Sequence, residues 1–171
     1  VALYGGRRMA KWSTARHKQE HSVVVFPFEE KRLWQWAIDM AKHVSLLSKD
    51  PSTKVGAVIF DDKRRLVSAG YNGLPRGVED SPARLQNRDI KYKMILHAER
   101  NAMAFATGRL EGATLFCTHP CCTQCAAQII QMGIKHVCWP TPDKEFADRW
   151  AEDMKLSAEM FNEAGVTTHV G

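Results

Sequence analysis

The chain has 171 residues, 44% of them hydrophobic and 25% charged, enough for one domain with a sizeable core and too little for two ordinary ones. Its apolar runs, such as 23–26 and 56–60, are far too short to span a bilayer, and no secretory leader is visible, so a cytoplasmic setting without a membrane partner is expected. The formal charge of +5 is concentrated in residues 1–22, where Arg7, Arg8, Lys11, Arg16 and Lys18 outweigh Glu20 by +4; the +1 left for residues 23–171 argues against a nucleic-acid partner.

Residues 1–22 are polar and aperiodic and open on Val rather than Met, as a flexible basic arm or vector-derived residues would. Residues 23–171 are expected to form a single domain. Over 31–48 the apolar residues Leu33, Trp36, Ala37, Met40, Ala41, Val44 and Leu47 recur at steps of three and four, which predicts a helix ended by Asp50-Pro51. Strands at 54–60 and 65–71, joined by a short polar turn, predict an antiparallel hairpin. The Gly, Pro and charge content of 72–93 predicts an irregular excursion.

A helix at 97–108, a strand at 113–118, a helix at 122–132 and a strand at 135–139 follow. The last elements are a helix at 145–162, capped by Gly165, and a strand at 166–170. Strands alternating with helices after an opening hairpin predict an α/β fold: a three-layer α/β/α sandwich with a mixed five-stranded sheet.

Five cysteines are odd in number, and four of them (Cys117, Cys121, Cys122, Cys125) crowd into nine positions, which favours metal binding in a reducing compartment over a disulfide framework. Cys117 and Cys138 sit in apolar strands and read as buried, inert thiols. A lone Cys-x-x-Cys also serves redox pairs and structural zinc sites, and a lone His-x-Glu is usually helix surface. Together, His97-Ala98-Glu99 and Cys122-Thr123-Gln124-Cys125 supply one imidazole, two thiolates and a carboxylate, each half at a predicted helix start. His97, Cys122 and Cys125 can hold zinc tetrahedrally with the fourth position left for water, and Glu99 can move protons. The H-x-E and C-x-x-C pair is the signature of zinc-dependent base deaminases.

Over most of residues 31–140 the chain resembles the deoxycytidylate (dCMP) deaminases of the cytidine deaminase superfamily. The matching runs are 48–58 (SKDPSTKVGAV), 70–77 (GYNGLPRG), 97–102 (HAERNA), and Thr118-His119-Pro120 leading into Cys122-Thr123-Gln124-Cys125-Ala126. The resemblance implies a cytidine deaminase-like fold and conversion of dCMP to dUMP for thymidylate synthesis. It implies one catalytic Zn2+ on His97, Cys122 and Cys125, with Glu99 as proton shuttle. Asn72 would touch the sugar, the Ala98 backbone the pyrimidine, and Lys49 and Lys54 in the 48–54 loop the 5′-phosphate. Gly70, Tyr71, Asn72, Gly73 and Arg76 would form an effector site for dCTP with Mg2+ as activator and dTTP as inhibitor, in a homo-oligomer that is hexameric in many relatives.

This chain departs from the family pattern in three places. Cys121 stands where proline is usual, and is an alternative ligand to Cys122, although the three-residue spacing to Cys125 favours Cys122. Leu96 replaces a cysteine before the His. Residues 73–96 hold neither Cys nor His, so one zinc per chain is expected rather than two. The competing functions are deamination of another base (a nucleoside, a tRNA adenosine or a riboflavin precursor) and a noncatalytic zinc module that binds nucleotide.

Overall fold

The structure is a computed structural model that describes Phe28 and residues 30–171. The expectation of a basic arm over 1–22 lies outside the described residues. In chain order the elements are α1 (Lys31–Ser45), β1 (Gly56–Phe60), β2 (Leu66–Tyr71), α2 (Pro82–Leu85), α3 (Arg88–Met94), α4 (Ala98–Phe105), β3 (Thr114–Cys117), α5 (Thr123–Gln131), β4 (His136–Trp139), α6 (Lys144–Arg149), α7 (Ala151–Glu163) and β5 (Thr167–Val170).

The strands form one sheet in the order β2-β1-β3-β4-β5. β1 pairs antiparallel with β2 and β3, whereas β3, β4 and β5 run parallel, so the sheet is mixed as expected. Every residue of β1, β3 and β4 is buried, the pattern of strands covered on both faces. Successive side chains point to opposite faces, which sorts the core into two clusters. Val58, Phe60, Phe116 and Cys138 meet Ala37, Ile38 and Ala41 of α1, together with Phe28. Ala57, Ile59, Leu115 and Val137 meet residues of α4, α5 and α7 on the other face. The three-layer α/β/α sandwich follows.

In the first cluster the rings of Phe28, Phe60 and Phe116 lie 4.8–6.0 Å apart at tilted or edge-on angles. Each such pair adds about 0.5–1.5 kcal/mol beyond simple burial. The buried stripe of α1 differs from its predicted face: Trp36 and Leu47 are exposed, while Ala37 and Ala41 approach the sheet. That approach depends on Gly56, where an added Cβ would lie 2.0 Å from the Ala41 carbonyl oxygen.

Two other expectations change. The 72–93 excursion contains α2 and α3, the latter capped by Asn87, whose side chain accepts from the Ile90 amide. The long helix over 145–162 breaks at Trp150, whose φ of −110° and ψ of 16° leave the helical region, so α6 and α7 are separate. Asp143 starts α6 by accepting from the Phe146 amide at 2.7 Å. Among the described residues no helix is long and apolar enough to cross a membrane.

Candidate active site

His97 and Cys122 occupy equivalent places, each the N-cap of a helix whose first turn carries a further functional residue. Neither side chain caps its own helix, so both remain available for another partner. α4 then places Glu99 in its first turn and α5 places Cys125 in its own. The helices are tied side by side by Arg100 Nε, which donates to Gln128 Oε1 at 3.2 Å. α7 holds the start of α5 from outside: Asp153 accepts from the Thr123 amide and hydroxyl at 3.1 and 2.8 Å, and Ser157 Oγ donates to the Cys121 carbonyl at 3.0 Å.

The fold brings His97, Cys122 and Cys125 together, with their ligand atoms all within 4.8 Å of one another. His97 Nδ1 lies 3.4 Å from Cys122 Sγ and 3.5 Å from Cys125 Sγ. Tetrahedral zinc with ordinary Zn–N and Zn–S bonds separates its N and S ligands by about 3.6 Å, so the imidazole nitrogen already stands close to the spacing from each sulfur that zinc requires. The donor set fits as well, with a borderline-soft nitrogen and two soft sulfurs.

Protonation in this cluster is coupled. The hydrogen bond from Cys125, helped by His97, holds the Cys122 thiol down to about 4, while the same bond and burial push Cys125 up. The bond to Cys122 raises His97. The two sulfurs thus share a proton that a bound cation would displace. Burial pushes the Glu99 carboxyl above the ordinary range, against the opposing pull of His97 and of the Cys121 thiol. Burial also raises Cys117, Cys121 and Cys138, which keeps them thiols.

A cleft of about 820 Å3 opens over the cluster, with His97, Glu99 and Cys122 in its lining. Asp50, Ser52, Asn72 and Lys91 form a second part of that lining, and Arg88, Lys93, Arg100 and Arg149 add positive charge. An aromatic row completes it: His119 and Phe146 have ring centroids 5.0 Å apart, Phe146 and Trp150 6.1 Å, and Trp150 and Tyr92 6.5 Å.

A family model described as the cytidine and deoxycytidylate deaminase zinc-binding region matches residues 29–141. The chain belongs to this deaminase family. An uncharacterised deaminase in the luxG 3′ region of Aliivibrio fischeri is 49% identical over 135 residues, 77% of this chain and 90% of its own length. Human deoxycytidylate deaminase is 36% identical over 128 residues, 70% of this chain and 68% of that protein. The apo crystal structure of dCMP deaminase from the cyanophage S-TIM5 superposes with a TM-score of 0.65 at 25% identity, covering 83% of this chain and 99% of that one. The protein is accordingly a deaminase with a zinc-binding domain, and His97, Cys122 and Cys125 form its candidate metal cluster.

The other residues singled out in the sequence of this deaminase fall in varied places. Asn72 is buried, its amide donating to Thr53 O and Asp50 Oδ2 while its oxygen accepts from the Val55 amide. Ala98 is fully buried at the start of α4. Lys49 turns to Asp80, 2.8 Å away, and Lys54 is exposed. Gly70 lies against α4, Gly73 bridges to Leu96, Asn101 donates to the Tyr71 carbonyl, and Arg76 stacks 5.5 Å over the Phe105 ring. Sequence reasoning did not single out Lys91, Asp153, Arg88, Lys93, Tyr92, Phe146, Arg149 or Trp150 for the site, because they lie outside the His97 and Cys122 motifs and carry no motif of their own.

Proposed function

We propose that this deaminase acts on dCMP, exchanging the 4-amino group for oxygen from water and releasing dUMP and ammonia. The observation that carries the reading is the meeting of the His97, Cys122 and Cys125 ligand atoms beside a cleft that His97, Cys122 and the buried Glu99 line and whose walls are rich in positive charge. The cleft is of the size that small-molecule sites have.

His97, Cys122 and Cys125 would hold one zinc ion, which when bound supplies a Lewis acid that makes water nucleophilic near neutral pH. Glu99 accepts the first proton that water gives up and passes it to the ring nitrogen beside the attacked carbon; it then takes the second proton from the new hydroxyl on that carbon and delivers it to the departing amine. One C–O bond forms as one C–N bond breaks, and the protons balance. The aromatic side chains of His119 and Phe146 give a flat ring an apolar surface, while the Ala98 backbone meets the pyrimidine edge. The wall that contains Asn72 receives the sugar. Arg88, Lys93 and Arg100 suit the 5′-phosphate by charge, with Lys49 and Lys54 as outer candidates.

The same reading includes regulation by dCTP with Mg2+ and by dTTP in a homo-oligomer, with Gly70, Tyr71, Asn72, Gly73 and Arg76 as effector contacts. It is supported by the joining of the two implicated runs, since Ser48 Oγ donates to the Asn72 carbonyl at 2.8 Å. Two thiolate ligands fit a reducing, cytoplasmic setting. Ammonia release from dCMP, deoxycytidine and CMP, each with and without dCTP, tests the proposal. dCMP consumed far faster than deoxycytidine supports it; equal consumption removes the phosphate contacts, and no response to dCTP removes the activation.

A further inference from the structure

Lys91 carries a charge where burial makes charges expensive. It is 4% exposed, and its ammonium group meets the Asp50 carboxylate at 2.9 Å and Ser52 Oγ at 3.1 Å. The Asp50 side chain is 5% exposed. The Asp50 carboxylate also accepts from the Ser52 amide at 2.8 Å, the Thr53 amide at 3.3 Å and Asn72 Nδ2 at 3.4 Å. One ion pair therefore joins α3 to the 50–55 loop and to the end of β2, and Asp50, Ser52, Thr53, Asn72 and Lys91 all line the cleft.

Exchanging a buried ion pair for well-packed apolar residues is often neutral or stabilising, so stability alone gives no reason for this pair. We infer that Lys91 is a positioning residue of the deamination: through Asp50 it holds the 50–55 loop and the Asn72 side chain as one wall of the cleft that contains His97 and Glu99. The inference rests on the reading of that cleft as the substrate site. His97 has anchors of its own besides Lys91. The backbone bridge between Gly73 and Leu96, with N–H to O distances of 3.1 and 2.9 Å, and the start of α4 locate it. Loss of Lys91 should thus loosen substrate binding while the groups that perform the chemistry stay in place.

The test compares wild type with Lys91→Met and with the Lys91→Met/Asp50→Asn double variant, in the zinc-loaded full chain. The single variant leaves a buried carboxylate unpaired and melts lower; the double variant, without a buried charge, regains most of the melting temperature. Both should raise KM for dCMP and Kd for dUMP about tenfold, with kcat within about threefold of wild type and zinc content unchanged. A folded double variant with wild-type KM and dUMP affinity overturns the inference, as does a fall in kcat at constant KM. If wild type deaminates another base and not dCMP, the dCMP reading falls, and the same KM-against-kcat comparison on that base decides the role of Lys91.

Discussion

Gly70 in β2 lies directly under Ala102 of α4. A Cβ placed on Gly70 would come 2.3 Å from the Ala102 amide nitrogen and 2.7 Å from the Ala98 carbonyl oxygen. These are backbone atoms and cannot swing aside, so the helix that begins at His97 can approach the hairpin only over a residue without a side chain. Gly70→Ala should destabilise the protein by about 1–3 kcal/mol, the usual range for overpacking. At this chain length that lowers the melting temperature by about 2–4 °C for each kcal/mol. Gly108→Ala, which meets nothing within 4 Å, is the control. An unchanged melting temperature would remove the packing role, and a nucleotide response lost at that unchanged stability would leave Gly70 as an effector contact alone.

Glu99 is 3% exposed and sits within the first turn after His97. Glu99→Gln keeps the shape and removes the ability to accept a proton. Turnover should fall by at least about 10² to 10⁴, the usual contribution of general acid–base help. Zinc content and the circular dichroism spectrum should match wild type. Steady-state ammonia release that survives the substitution would leave the proposed proton route without its carrier.

The candidate site was legible in the sequence because its parts are local: His97 with Glu99, and Cys122 with Cys125, each sit at fixed short spacing at a helix start. The strands were legible from their apolar runs. What escaped depends on partners far along the chain. Asp50 and Lys91 are 41 residues apart, and Asp153 caps a helix that starts thirty residues earlier. The break at Trp150 interrupts a periodicity that runs through it unbroken, so helical spacing alone could not reveal it. Lys49 looked suited to phosphate by charge, but only the fold shows its ammonium group directed to Asp80.

The cluster makes Cys122 and Cys125 equivalent as ligands and leaves Cys121 outside, buried, with its carbonyl bonded to Ser157. Metal analysis should return one zinc per wild-type chain. Cys122→Ser or Cys125→Ser should lose most of that zinc, and Cys121→Ala should retain it. Chelation should abolish turnover and added zinc restore it. Zinc retained by Cys122→Ser and lost from Cys121→Ala would exchange the roles of the two neighbours, and two zinc ions per chain would require a second site.

On the far side of the sheet, His136 Nδ1 and His169 Nε2 lie 3.2 Å apart across β4 and β5. Burial, with the nearby charges of His169 and Lys135, pushes His136 down to about 4, and burial lowers His169. The unfolded chain therefore binds protons at these sites at a higher pH than the folded chain does. The linked stability is present above pH about 6.5 and is lost as the pH falls toward 4. Because His169 is only half-buried, solvent screening reduces the loss from the full shift to about 1–2 kcal/mol. Chemical denaturation of wild type and His136→Gln at pH 7 and pH 5 separates this effect from acid release of zinc, which both proteins share. The variant should lose less stability than wild type over that interval, and parallel losses would show that the pair does not contribute.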